Sequence, residues 1–115
     1  MRWGESTTLA VVATNAHLTK PAAPKVAQMA HDGLARTISP VHTSVDGDVI
    51  FAASIGRPPE GGAEDKPPEG PVSVTVSPDV VGAWGARVVA EAIVRAVRLA
   101  KGTPDLPAVS ELGKG

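Results

Sequence analysis

An α/β fold is predicted by three features of this 115-residue sequence. Thr8 to Thr14 (TLAVVAT) and Val49 to Ala53 (VIFAA) are short β-branched apolar runs with the length and content of strands. Between them Val26, Met29, Ala30, Gly33 and Leu34 recur at spacings of three and four, the period of a helix with one packed face. A second, longer stretch from Pro78 is almost all Ala and Val and also reads as helix.

The first run is nearly continuous in apolar character, which predicts a central strand buried on both faces. Thr19-Lys20-Pro21 opens the first helix. Pro24 sets its regular start at about residue 22 or later, because a proline deeper than the first turn removes a bonded N–H. Ser39-Pro40 stops that helix. Asp46-Gly47-Asp48 is a turn signal at the entrance of the second strand, and the two strands can share a sheet.

From Gly56 to Pro71 the composition turns to proline, glycine and charge, a solvated loop with too little apolar surface to order itself. Pro58-Pro59-Glu60-Gly61 recurs there as Pro67-Pro68-Glu69-Gly70, read as duplicated linker. Val72 to Val76 (VSVTV) alternates as a strand does. Ser77-Pro78 then supplies an N-cap ahead of a proline at the first helical position. Through Lys101 the polar residues Arg87, Glu91, Arg95 and Arg98 form one narrow stripe. The remaining circumference wants more cover than a chain of this length encloses, which predicts a missing partner surface. Gly102-Thr103-Pro104 ends the helix, and a flexible tail is expected after it.

Eleven Lys and Arg against twelve Asp and Glu leave a formal charge of −1, with no concentrated basic face for nucleic acid. The absence of cysteine excludes disulfides, thiolate nucleophiles and Cys-ligated zinc. Met1 to Ser6 is followed by no signal-peptide run, and no stretch reaches the roughly 18 apolar residues of a membrane span. A soluble protein is expected, with the cytoplasm as the default compartment and no membrane partner.

GxSxG, GxGxxG, GKS or GKT and HExxH are all missing. His17, His31 and His42 lack a local ligand spacing and read as ordinary surface or core histidines, so neither a metal nor a cofactor is expected. His31 and Asp32 are helix neighbours that point about 100° apart. AHDGLAR therefore reads as packing, with Gly33 allowing close helix approach. By themselves, Ser6-Thr7-Thr8 is a polar lead-in to a strand and Asp46-Gly47 a turn.

TTLAVVATNA from Thr7, AHDGLAR from Ala30 and DGD from Asp46, in this order and at these distances, together carry more. In these motifs the chain resembles the small subunit of the DmpA-type aminopeptidases and nylon-oligomer hydrolases, which are N-terminal-nucleophile enzymes. The match spans about residues 6 to 55, and the long helix from Pro78 fits more loosely. Such precursors cut their own backbone before a Ser or Thr, whose freed amine serves as base to its own hydroxyl.

The resemblance implies that Thr7 is the nucleophile and that Asp46 and Asp48 are its paired carboxylates. Residues i and i+2 of an extended segment point to one side, so one carboxylate is expected to orient Thr7 and the second to hold the first. Residues 1–6 are then a lead-in, 7–55 the nucleophile region, 56–71 a loop, 72–102 a strand and the long helix, and 103–115 the tail. The implied fold is part of an αββα sandwich, completed by a large subunit and built into a homo- or hetero-oligomer. The implied substrates are small peptides, amino-acid amides or ω-amino-acid oligomers, with no turnover expected without the large subunit.

Two departures stand beside the match: Ser6 occupies the place where the family has Gly or Asn, and no large subunit is in this sequence. A non-catalytic truncated relative serving as a structural or binding module is therefore a second reading. A third, an acyltransferase of the same superfamily, shares the nucleophile logic, but its lead-in motif is absent.

Overall fold

The computed structural model describes residues 6–57 and 76–113. In chain order they form β1 (Leu9–Thr14), α1 (Ala22–Thr37), β2 (Val49–Ser54), α2 (Pro78–Leu99) and a short 3-10 turn, Val109–Glu111. The strand expected over Val72 to Val76 lies, except for Val76, outside the described residues. So do residues 1–5 and all but the start of the Pro/Gly-rich loop.

α1 starts where the prolines allow. The Thr19 carbonyl accepts the N–H groups of Ala22 and Ala23, each at 3.1 Å, and the Thr19 hydroxyl also takes the Ala22 N–H. Pro24 lies in the first turn, where a helix N–H has no partner in any case. α2 begins at Pro78 with Ser77 as its cap, the Ser77 hydroxyl accepting the Asp79 N–H at 3.2 Å. Asp79 in its first turn and Arg98 in its last both complement the helix dipole.

β1 and β2 pair in parallel, Leu9 with Val49 through Thr14 with Ser54, and α1 is the crossover between them. The two-residue side-chain period sends Val12 and Ile50 toward the helices, where they are buried with Val26, Ala30 and Leu34 of α1 and Val89 of α2. On the other face Leu9, Val11 and Phe51 are 70%, 68% and 60% exposed. Helices cover a single face of the sheet and nothing among the described residues covers the second, so the expected double burial of the first strand is not met within them.

The two helices meet through glycine. A Cβ built on Gly33 would stand 2.5 Å from the Ala86 carbonyl oxygen and 2.8 Å from the Val89 Cβ, and Gly82 leaves the matching room for Met29. AHDGLAR is accordingly a packing motif. Gly33→Ala is expected to lower stability by about 1–3 kcal/mol, because backbone oxygen cannot yield as a flexible side chain does. Urea unfolding of the variant against the parent chain measures it.

α2 leaves most of its surface open. Gly82, Gly85, Ala86 and Val89 are its buried residues, while Trp84, Val88 and Leu99 are 58%, 55% and 66% exposed. The tail expected to be flexible instead carries structure: the Glu111 carboxylate accepts the N–H groups of Gly102 at 3.0 Å and Ala108 at 3.2 Å. Thr103 and Leu106 close a turn with paired backbone bonds, and Ala108 is buried. One acidic side chain satisfying two backbone donors is what holds this segment. No described helix is long and apolar enough to cross a membrane.

Candidate active site

The pairing of β1 with β2 continues below the strands and brings all three sequence-designated residues to one end of the sheet. Ser6 bridges to Asp46, with the Ser6 N–H donating to the Val45 carbonyl at 3.4 Å and the Gly47 N–H to the Ser6 carbonyl at 2.8 Å. Between that bridge and the Leu9–Val49 pair, the register sets Thr7 opposite Gly47. The Thr7 hydroxyl lies over this glycine, and a Cβ added to Gly47 would stand 3.0 Å from Thr7 Oγ1. Only a residue without a side chain leaves the hydroxyl in this position undisturbed.

Asp46 and Asp48 share a side, as their spacing predicts, but it is the covered side. They line a recess of about 230 Å³ with Ser6, Thr8, Pro40 and Thr43, whereas Thr7 turns with Leu9 and Val11 toward the bare face. Among the described residues no hydrogen bond joins the Thr7 hydroxyl to either carboxylate. The expected direct carboxylate–hydroxyl contact is thus not part of this arrangement, for a physical reason: strand register alternates the faces and places a glycine, not an aspartate, across from Thr7.

Each carboxylate is engaged elsewhere. Asp46 Oδ2 accepts the Thr43 N–H at 2.9 Å while the Asp46 N–H donates to the Thr43 carbonyl at 3.1 Å, which closes the loop entering β2. Asp48 Oδ1 accepts the Thr8 N–H at 3.1 Å. In the regular parallel alternation that N–H would meet the Gly47 carbonyl, so a side chain here replaces a ladder acceptor. The second oxygen of Asp48 lies 2.7 Å from His42 Nδ1. An ionised carboxylate can only accept, so Nδ1 carries the hydrogen of this bond.

The Asp48 side chain is 6% exposed. Burial by itself pushes its pKa up, but the bonds from the Thr8 N–H and from His42 outweigh that and hold the carboxyl below the ordinary aspartate value. His42 is the residue that sequence reading passed over. Its backbone sits in the left-handed region at φ 54°, a placement that costs a side-chain-bearing residue roughly 1–2 kcal/mol. Its ring also lies against that of His31 on α1, with centroids 5.2 Å apart. The available signal was its place four and six residues before the two aspartates.

A concavity of about 850 Å³ runs between β1 and α2 and is lined by groups such as Val12, Trp84, Val88 and Ile93. Its lining is mostly apolar, and no Asp, Glu, His, Lys or Arg is among the described residues that line it. Among the described residues no cluster of His, Asp or Glu is arranged to hold a metal ion.

The sequence pattern described as Peptidase family S58 matches residues 2–106. An "uncharacterized aminopeptidase" of Mycobacterium tuberculosis is 37% identical over 96% of this chain, and one of Mycobacterium bovis is equally similar. The corresponding protein of Mycobacterium leprae is 39% identical over 89% of the chain. The chain spans 32% of the length of the first two relatives and 28% of the third. No solved structure matches it significantly.

Proposed function

The chain belongs to peptidase family S58, and from that premise we propose that it is the nucleophile-bearing part of an amide hydrolase whose nucleophile is Thr7. In the maturation step the Thr7 hydroxyl oxygen bonds to the Ser6 carbonyl carbon, its proton passes to the Thr7 nitrogen, and the Ser6–Thr7 C–N bond breaks to leave an ester and a free Thr7 amine. Water then hydrolyses the ester, releasing the segment that ends at Ser6 and restoring the hydroxyl. The bond from the Gly47 N–H to the Ser6 carbonyl oxygen, 2.8 Å, supports this step, since a donor there stabilises negative charge as it develops on that oxygen.

The mature site repeats the same chemistry on substrate. The freed Thr7 amine accepts the hydroxyl proton as the oxygen adds to an amide carbonyl, a role open to α-amines because they ordinarily titrate at about 8. The proton passes to the departing amine, and water cleaves the resulting acyl-enzyme. Asp48 fixes the Thr7–Thr8 peptide and Asp46 the loop beneath it, so both carboxylates act by holding the nucleophile still. Small peptides, amino-acid amides and ω-amino-acid oligomers are the proposed substrates, as in the DmpA-type and nylon-hydrolase branches that the motifs resemble. The bare sheet face and the open side of α2 are proposed to be covered by a large subunit, which completes an αββα sandwich.

The single observation that carries the reading is the seating of Thr7 over Gly47, at the sheet end flanked by two aspartates, inside the span matched by the family. Intact-mass measurement of the purified chain, alone and with a large subunit supplied, tests it. A species beginning at Thr7 is the expected product. A chain that keeps Met1 through Ser6 under both conditions, with no turnover, supports the structural module instead.

A further inference from the structure

We propose that His42 is a positioning residue of this hydrolase: its ring locks the Asp48 carboxylate, which holds the Thr7–Thr8 peptide and thereby fixes where the Thr7 hydroxyl stands. The inference rests on the reading of Thr7 as nucleophile and assigns a role to a residue outside that reading.

An aspartate side chain turns about two bonds, and one accepted N–H leaves it free to swing. Asp48 is bonded at both oxygens, to the Thr8 N–H at 3.1 Å and to His42 Nδ1 at 2.7 Å. The shorter bond removes the remaining freedom. The Thr8 N–H belongs to the same planar unit as the Thr7 carbonyl. With the Ser6 carbonyl held on the other side of Thr7 by the Gly47 N–H, fixing that plane restrains the Thr7 backbone and the direction of its Cα–Cβ bond.

His42 is itself held from two sides. The loop that carries it is closed by the two bonds between Thr43 and Asp46, and its ring meets His31 at 5.2 Å and a 56° tilt. A left-handed backbone at a residue with a side chain persists only where the surroundings impose it. Contacts thus run from His31 on α1 through His42 and Asp48 to the first peptide of the nucleophile strand. A histidine that merely filled loop space would need neither the 2.7 Å bond nor the strained backbone.

The test uses the full chain assembled with a large subunit, assayed on a small amino-acid amide, with His42→Ala, His42→Asn, His42→Gln and Thr7→Ala. His42→Ala is expected to lower kcat by about 10- to 100-fold, with KM within about twofold. Asparagine sets an N–H near the position of Nδ1 and is expected to restore most of the rate, whereas glutamine, whose N–H lies one atom further out, is not. The Thr8 amide resonance gives a readout without turnover. Its pH titration follows the Asp48 carboxylate, with His31 and Asp46 as the other titrating neighbours, and its midpoint should rise in the alanine variant and return in the asparagine variant.

Unchanged kcat and an unchanged Thr8 titration in His42→Ala would overturn the proposal. So would a folded His42→Asn no better than His42→Gln, a comparison that decides the matter even if the alanine variant does not fold. Turnover surviving Thr7→Ala would remove the nucleophile reading, and the Thr8 titration would still judge the His42–Asp48 link separately.

Discussion

Thr7→Ala is expected to abolish amide hydrolysis, with kcat falling by about 10⁴-fold or more, the scale on which loss of an enzymic nucleophile acts. The same variant should remain uncut, since the hydroxyl proposed to attack the Ser6 carbonyl is the one removed. Its folding should be nearly unaffected: Thr7 is exposed, and its hydroxyl donates to neither carboxylate. Thr7→Ser, which keeps the hydroxyl and loses a methyl group, should retain cutting and turnover at reduced rate. Mass spectrometry reads the first effect and amide-substrate kinetics the second. Full turnover in the alanine variant would contradict the assignment directly.

Asp48→Ala is expected to cost about 2–4 kcal/mol of stability near neutral pH, because it strands the Thr8 N–H and the His42 ring at once. Most of the loss falls on the Thr8 side, since the Asp48 side chain is 6% exposed and the His42 side chain, at 39%, is partly screened by water. The pH dependence has a definite sign. The folded-state pKa of Asp48 lies below its unfolded value, about 3.9 for an aspartate, so between the two the unfolded chain binds more protons. The stabilisation is therefore complete above the unfolded value and is lost as pH falls through the folded one. Urea unfolding of parent and variant from pH 7 down to pH 2 should show the gap between them narrowing only at the acid end. A gap that widens below pH 4 would mean that Asp48 is not stabilised as a carboxylate.

Much of the fold was legible because its signals are local. Ser77-Pro78 determined the start of α2 through one side-chain bond and one missing N–H, and Thr19 with Pro24 did the same for α1. The three-four spacing of Val26, Ala30, Gly33 and Leu34 named the buried side of α1 correctly, down to the glycine that admits α2. Thr7, Asp46 and Asp48 were designated by motifs, and pairing of the two strands does bring them to one sheet end. Double burial of the first strand is not met among the described residues, because an apolar run is the same sequence signal whether the second layer comes from this chain or from another surface. Structure beyond Gly102 was not foreseen, since it depends on a carboxylate reaching back nine residues to Gly102.

The amino-acid sequence by itself determined β1, β2 and both helices, where each helix begins, and which three residues the family motifs designate. The elements and their starts follow from side chains acting on their own neighbours within a turn or two, and the three designations from the resemblance of the motifs. Only the tertiary structure decided that Thr7 lies across from Gly47 with the carboxylates on the reverse face, and that His42 closes on Asp48. Both depend on pairing register and on a loop held by contacts from α1. A slip of one residue in that register would exchange the two faces with every local preference intact.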